Sequence, residues 1–231
     1  MLTTSIVAFA GGSGEPDAET YLASLPSVTR EYEVESEQAR FDELLREFGG
    51  DKELPEGYEL QALVALSHYP ELQGIRIRFV QDDVGIPISS RPRPISTFRS
   101  RSNRLYLVVI DTESDRRGAL LLKNQPFNAQ IGILGHELAH TAWYINRSFF
   151  GIVSDALCQL SDKCRVQFER DTDRRLIAHG LGWQRYDHST FVRAGFRSEQ
   201  VESDGAGGAY MDPPELLAIM NSADMYSGTG K

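Results

Sequence analysis

Phe127-Asn-Ala-Gln-Ile-Gly-Ile-Leu-Gly-His136-Glu-Leu-Ala-His140-Thr141 is the stretch on which the fold turns. An α-helix advances about 100° per residue, so positions four apart stand only about 40° apart around the axis. His136 and His140 therefore share one helical face, and both imidazoles can reach a single ion at roughly 2.0–2.1 Å. Glu137 points to the side of that pair, where a carboxylate can take a proton from a water held by the ion. With His136 at zero on the helical wheel, Ile131, Leu134, Leu138 and Ile145 fall opposite and make an apolar back for packing into a core. Gly132, Gly135, Ala139 and Ala142 form a third stripe, small enough for another element to come close. The spacing predicts a buried helix whose histidines face a cleft, a rigid seat for ligands.

Two histidines do not complete a catalytic zinc site, which has three protein donors and one open position. The third is sought downstream among His179, His188, Cys158, Cys164 and the carboxylates. In residues 161–180, Val166, Glu169, Asp173, Leu176 and Ile177 share one helical face, while Gln167, Arg170, Asp171, Arg174 and Arg175 fall mostly on the other. Ionised carboxylates inside an apolar stripe cost several kcal/mol unless a partner compensates them. Glu169 is accordingly expected as the third ligand of one Zn²⁺. Asp173, one turn on, is expected to accept the remaining N–H of a zinc histidine and so fix its tautomer. The alternative is that both acids are solvated and paired with the neighbouring arginines. His179 is the alternative ligand, or else a cation at a helix C-terminus before Gly180. His68, two residues before Pro70 at the end of another helix, reads as structural.

With these residues in place the chain resembles the gluzincin metallopeptidases, in which His-Glu-x-x-His is followed on a later helix by Glu-x-x-x-Asp. Phe168-Glu169-Arg170-Asp171-Thr172-Asp173-Arg174 is most similar to the version in soluble, M48-like zinc peptidases. The run from Phe127 to His140, with Gly180-Leu-Gly-Trp-Gln184, is also similar to an uncharacterised bacterial group, and the likeness covers roughly residues 58 to 193. The resemblance implies a zincin-like fold and peptide-bond chemistry, and no particular substrate. It departs from the M48 pattern in lacking a membrane span, and the 29 positions from His140 to Glu169 are few for the integral-membrane members.

Metal-assisted hydrolysis of a peptide is the expected reaction, with Glu137 as general base. Tyr144, Tyr186 and His188 are candidate donors to the oxyanion. An exposed strand beside the motif helix is expected, from the resemblance, to receive an extended peptide. Two other readings stand beside it: a zinc-stabilised scaffold or binding protein without turnover, and hydrolysis of something other than a peptide. Retention of Glu137 favours an enzyme, because holding zinc does not require it.

The chain has 231 residues, 41% of them hydrophobic, enough for one well-packed domain with an N-terminal extension. The boundary is expected between an extension at 1–34 and a zincin-like domain at 35–231. A net charge of −9 and a pI near 5.1 argue against nucleic acid or an anionic membrane surface as the main partner. No apolar run is long enough to span a bilayer. Ala8-Phe-Ala10 has the small-x-small pattern of a signal remnant and residues 11–20 read as a flexible linker, so a periplasmic or secreted location is expected, with the cytoplasm as alternative. Cys158 and Cys164 flank a helix break near Ser161 and could pair in an oxidising compartment or stay as buried thiols. Oligomeric state is not written in the sequence.

Periodicity orders the remaining elements. Phe41, Leu44, Leu45 and Phe48 predict a helix over 35–48 that stops at Gly49-Gly50, and Leu60, Leu63, Val64 and Leu66 predict another over 59–69. Ile75, Ile77 and Phe79 alternate with arginines as a half-buried strand, Leu105 to Ile110 is a second, and a strand near Ile95 to Phe98 is expected between them. The chain downstream reads as helical, ending with Asp212-Pro-Pro-Glu215 as a capping box. Strands before helices predict an α+β fold, a small antiparallel or mixed sheet against a mainly helical core. Arg91, Arg93, Arg99, Arg101 and Arg104 read as the charged face of an edge hairpin, or as contacts for the acidic end of a substrate.

Overall fold

The computed structural model describes residues 27–84, 87–100, 103–112, 115–195 and 208–229. The expected linker, the Ala8–Ala10 pattern and Arg101 lie outside them. The fold is α+β, and of the two sheet types expected the mixed one is found. The helices are α1 (Val34–Ala39), α2 (Phe41–Phe48), α3 (Glu59–Ser67), α4 (Phe127–Ile145), α5 (Phe149–Cys158), α6 (Asp162–Ala178), α7 (Gly182–Gly195) and α8 (Pro213–Asn221). The strands are β1 (Lys52–Glu53), β2 (Arg76–Asp82), β3 (Ile88–Pro92) and β4 (Leu105–Asp111), in the order β1-β2-β4-β3. β2 runs parallel to β1 and β4, while β3 is an antiparallel edge strand, with Ser90 opposite Val108.

The alternation in β2 and β4 turns Ile77, Phe79, Tyr106, Val108 and Ile110 into the core. Against that face lies α4, buried from Asn128 to Ile145 except at Trp143. Its other side receives α7 along the small stripe. A Cβ on Gly132 would collide with the Gln184 carbonyl, and one on Gly135 would lie 2.6 Å from Leu181 Cδ1. The close approach expected from Gly132 and Gly135 is thus made by α7, which locks the motif helix between sheet and helix.

Two sequence expectations need correction. The strand near Ile95–Phe98 is absent: the strand is Ile88–Pro92, and Pro94–Ser96 is a 3₁₀ turn. Pro92 and Pro94 have no N–H for a ladder, and Ile95 and Phe98 are 75% and 76% exposed. The helix over 35–48 is broken at Arg40, which lets α2 lie along α3 with Leu44 buried. Ahead of α1 the chain is tied to the rest of the molecule at Tyr32, which is buried. Tyr32 exchanges two backbone hydrogen bonds with the Asn128 amide, and its hydroxyl lies 2.6 Å from His68 Nε2. His68 is fully buried, with Nδ1 2.6 Å from the His179 carbonyl. Burial lowers its pKa to about 4, so a neutral ring ties the N-terminal segment to the end of α6. That is the structural role expected of it.

The α5–α6 corner is closed by a disulfide between Cys158 and Cys164, whose Cα atoms are 5.5 Å apart. Cys158 is exposed and Cys164 half-buried, unlike the buried thiols of the alternative expectation. Ser161 marks the helix break, and the Asp212–Glu215 capping box opens α8 as expected.

Candidate metal centre

His136, Glu137 and His140 form a buried group whose ligand atoms lie within 4.8 Å of one another, and it can hold a metal ion. α6 crosses beside it. There Glu169 Oε2 is 3.0 Å from His136 Nε2 and 3.2 Å from His140 Nε2, and the two Nε2 atoms are 3.1 Å apart. Donors held at roughly 2.0–2.1 Å by a tetrahedral ion stand about 3.3 Å from each other, so this triangle is close to the size such an ion requires.

The outer nitrogens decide what the inner ones present. His136 Nδ1 is 2.8 Å from Asp173 Oδ1, an acceptor, so it carries a proton. His140 Nδ1 is 3.2 Å from Thr172 Oγ1, whose own proton goes to the Phe168 carbonyl at 2.9 Å, so His140 Nδ1–H donates to that oxygen. With neutral rings, both Nε2 atoms then present lone pairs, and a carboxylate oxygen faces them. Three acceptors this close repel unless a cation lies between them. The cation can be a metal ion, or a proton shared through an imidazolium. Without metal, burial and Arg185 work against charge on His136, but its bonds to Asp173 and Glu169 outweigh them and lift its pKa to about 9. Burial also opposes ionisation of Glu169 and Asp173, and it is overcome by His140 and His136 for the first and by Arg185 and His136 for the second. Both carboxyls stay well below the usual range.

Asp173 is fully buried and has three donors: His136 Nδ1, Arg185 Nε at 2.7 Å and the Met211 N–H at 3.0 Å. Glu137 is its opposite. Burial raises its pKa against the pull of His140 and His136, and its Oε2 has no hydrogen-bond partner among the described residues. A buried carboxylate oxygen left open beside metal-donor atoms is placed to meet something that enters the cleft.

The other expected residues divide. Tyr144 sits behind Phe168, which stacks on His140, and burial lifts its phenol to about 12. Tyr186 packs edge-on against Trp183, and His188 Nδ1 is 2.7 Å from Gln125 Oε1. His179 has both ring nitrogens engaged elsewhere, Nδ1 at the Arg175 carbonyl and Nε2 at Glu71, with its ring stacked on Tyr69. It closes the C-terminus of α6 before Gly180, whose φ of 86° suits the residue that ends a helix.

Sequence reading missed Arg185, Thr172 and Tyr210. Arg185 is almost fully buried, four positions after buried Leu181 and three before buried His188. A charge in that stripe was a readable signal of the same kind as Glu169. Tyr210 sets its ring edge-on to His136, with centroids 5.5 Å apart, and Arg185 lies 5.2 Å from the tyrosine ring. Burial, then the charges of Glu169 and Glu137, hold its phenol protonated far above the ordinary value. Tyr210 lies outside any helix or strand, so no periodicity announces it. Searches among protein-family models, curated proteins and solved structures found no match to this chain.

Proposed function

We propose that the chain is a zinc-dependent metallopeptidase of gluzincin type, with His136, His140 and Glu169 as ligands and Glu137 as general base. The observation that carries it is the convergence of three lone-pair donors, 3.0–3.2 Å apart, next to a buried carboxylate oxygen without a partner among the described residues. Glu169 is preferred to Glu137 as the third ligand because its oxygen stands within 3.2 Å of both imidazoles. Zinc bound there supplies Lewis acidity, bringing the pKa of water toward about 7 and polarising a carbonyl.

The chain's own residues do the rest. Asp173, braced by Arg185, keeps the proton of His136 on Nδ1 and its lone pair inward. Glu137 takes a proton from the attacking water and returns it to the leaving amine, a task suited to a carboxylate whose pKa burial has raised. Tyr210, protonated and beside His136, is the best placed phenol to donate to the developing oxyanion, with Tyr144 on the Phe168 side as the second.

β3 supports a peptide as substrate. Ser90 Oγ is 2.8 Å from Thr141 Oγ1, so this edge strand runs beside the motif helix. The Arg93 N–H bonds to the Leu105 carbonyl, and by alternation the backbone groups of Ser90 are directed away from β4, open to an added strand. The disulfide supports an oxidising compartment, periplasmic or secreted.

The test is metal analysis combined with a peptide-library assay on the purified chain and on Glu137→Gln. One zinc per chain is expected in both proteins, with chelator-sensitive cleavage by the wild type and a loss of about 10²- to 10⁴-fold in the variant. Unchanged cleavage by the variant would sink the assignment. Zinc without cleavage of any peptide by the wild type would favour the scaffold reading.

A further inference from the structure

Among the described residues, α5 carries an apolar face that nothing covers. Phe150, Val153 and Leu157 recur at spacings of three and four, the period of one helical face, and exposed Leu160 follows in the turn after the helix. Phe150, Leu157 and Leu160 are 81%, 63% and 84% exposed, and Ile152 is the only buried residue of the helix. Single exposed apolar residues are ordinary, but a row of them continued by others is not. Phe149 stacks on Phe98 with centroids 4.5 Å apart, which joins the row to the turn after β3, where Ile95 is also exposed. Arg104 braces the junction, donating to the carbonyls of Arg147 at 2.7 Å and Arg99 at 3.2 Å.

The same turn is basic. Residues 84–110 contain five arginines and no acid, although the whole chain carries −9. Arg76 pairs in register with Leu105, whose carbonyl accepts from the Arg93 N–H, so Arg76 and Arg93 flank Leu105 on the outer sheet face. With Arg99 and the polar Ser96 and Asn103 they line a cleft of about 260 Å³. Of the acids nearby, Glu53 is engaged by Arg78, and Asp155 by Arg147 and Trp143. The average charge that spoke against an anionic membrane surface therefore conceals a basic, apolar patch.

We infer that this patch docks on an anionic phospholipid bilayer, with Phe98, Phe150, Leu157 and Leu160 entering the headgroup boundary and the Arg76–Arg93–Arg99 cleft taking a lipid phosphate. Charge complementarity selects this occupant. A cationic cleft adjoining exposed aromatic and aliphatic side chains matches a surface that is anionic at the headgroups and apolar beneath them. No helix among the described residues is long and apolar enough to cross a membrane, and this attachment needs none. It is independent of the catalytic reading.

The test uses the full chain and sedimentation with two kinds of vesicle, phosphatidylcholine alone and phosphatidylcholine mixed with phosphatidylglycerol. Sedimentation with the mixed vesicles only is expected. It should fall by more than about 10-fold between about 0.1 M and about 1 M salt, as the screening length shrinks from ~10 Å to ~3 Å. Each arginine at an anionic surface contributes about five-fold in partitioning, so Arg93→Glu with Arg99→Glu should lose at least about 10-fold. Phe98→Ser with Phe150→Ser should lose binding at an unchanged melting temperature, and Glu137→Gln should bind as the wild type does. No vesicle binding, or equal binding to both vesicles, overturns the inference. So does glycerol phosphate that saturates the cleft while vesicles stay unbound, which would make the site one for soluble anions. A dimer dispersed by Leu160→Glu, again without vesicle binding, would assign the face to a second copy and also overturn it.

Discussion

α4 and α5 are both strongly apolar helices, joined by the three-residue turn Asn146–Ser148, and they meet opposite fates. α4 is buried on nearly every side, whereas α5 buries only Ile152. The difference lies in what each offers a neighbour. Gly132 and Gly135 let the α7 backbone reach the α4 backbone, so apolar side chains on both flanks close over the seam. α5 is held by polar and covalent ties instead: the Ser148 cap, the clamp of Asp155 on Arg147 and Trp143, and the Cys158–Cys164 disulfide. Those ties fix its position and leave its apolar side free. Apolarity states that a helix gains by leaving water, but the shape of the contact decides what it leaves water for.

The comparison is broken most severely at Asp173. Asp173→Ala removes the partner of His136 Nδ1, Arg185 Nε and the Met211 N–H together, and strands a buried guanidinium. A loss of about 3–5 kcal/mol is expected in denaturant unfolding, with metal affinity about 10- to 100-fold weaker. Asp155→Ala, the matching acid of α5, breaks a largely buried clamp on Arg147 and Trp143 and should cost less, about 1–3 kcal/mol. Equal losses from the two variants would show that the α4 site is no more tightly determined than the surface.

Glycine sharpens the same contrast. In Gly132→Ala the new methyl group meets the Gln184 backbone, which cannot move without shifting α7. The expected cost is about 1–3 kcal/mol or more. In Gly151→Ala on α5 the methyl group would lie 3.2 Å from Arg147 Nε, a tight contact relieved by a shift of a few tenths of an ångström within the Asp155 clamp, with no backbone in the way. Helix propensity then favours alanine by up to about 1 kcal/mol. Thermal melts of the two variants should move in opposite directions, and a shared direction would refute the seam as the cause of α4 burial.

Protonation probes the α4 side alone. The folded pKa of His136 is raised from 6.5 to about 9, so its stabilising contribution is complete below 6.5 and is lost as pH rises through 9. Glu169 and Asp173 are depressed, so theirs is present above their ordinary values and is lost only in acid. In chelator, stability should therefore decline between pH 6.5 and about 9, with a slope of up to about 1.4 kcal/mol per pH unit. Zinc requires neutral imidazoles, so added zinc should reverse that slope. Denaturation midpoints against pH, with chelator and with zinc, would measure both, and a flat chelator profile would remove the imidazolium from the metal-free site.

Much of this was legible in sequence because it is periodic. The 3.6-residue rhythm put His136 and His140 on one face, the small stripe announced a close neighbour, and Glu169 and Asp173 stood out as charges in an apolar row. Each is a local pattern that folding preserves. What failed to show lacks that rhythm. Tyr210 lies in irregular chain and reaches His136 through tertiary packing, and the sequence reading also passed over the proline spacing that shifts β3 to Ile88–Pro92. Arg185 was visible in principle, since a charge beside Leu181 and His188 breaks an otherwise buried row. The bare face of α5 was hidden for another reason. Phe150, Val153, Leu157 and Leu160 have the spacing of a core helix, and no sequence pattern states that the core is absent.

That absence makes the smallest expected effect an informative one. Leu157 and Leu160 are already 63% and 84% exposed, so folding removes little of their surface from water. Leu157→Ser and Leu160→Ser should each stay within about 0.5 kcal/mol of the wild type. Leu134→Ala, at a position wholly buried in α4, should cost about 2–5 kcal/mol, because it loses apolar burial and leaves a cavity. If the α5 variants instead destabilise the isolated chain by amounts near that of Leu134→Ala, some part of the same molecule must cover the helix, and the face would be core. If they leave stability untouched and reduce vesicle binding, the free energy of those side chains is realised only on contact with a membrane surface, which is where the two helices differ most.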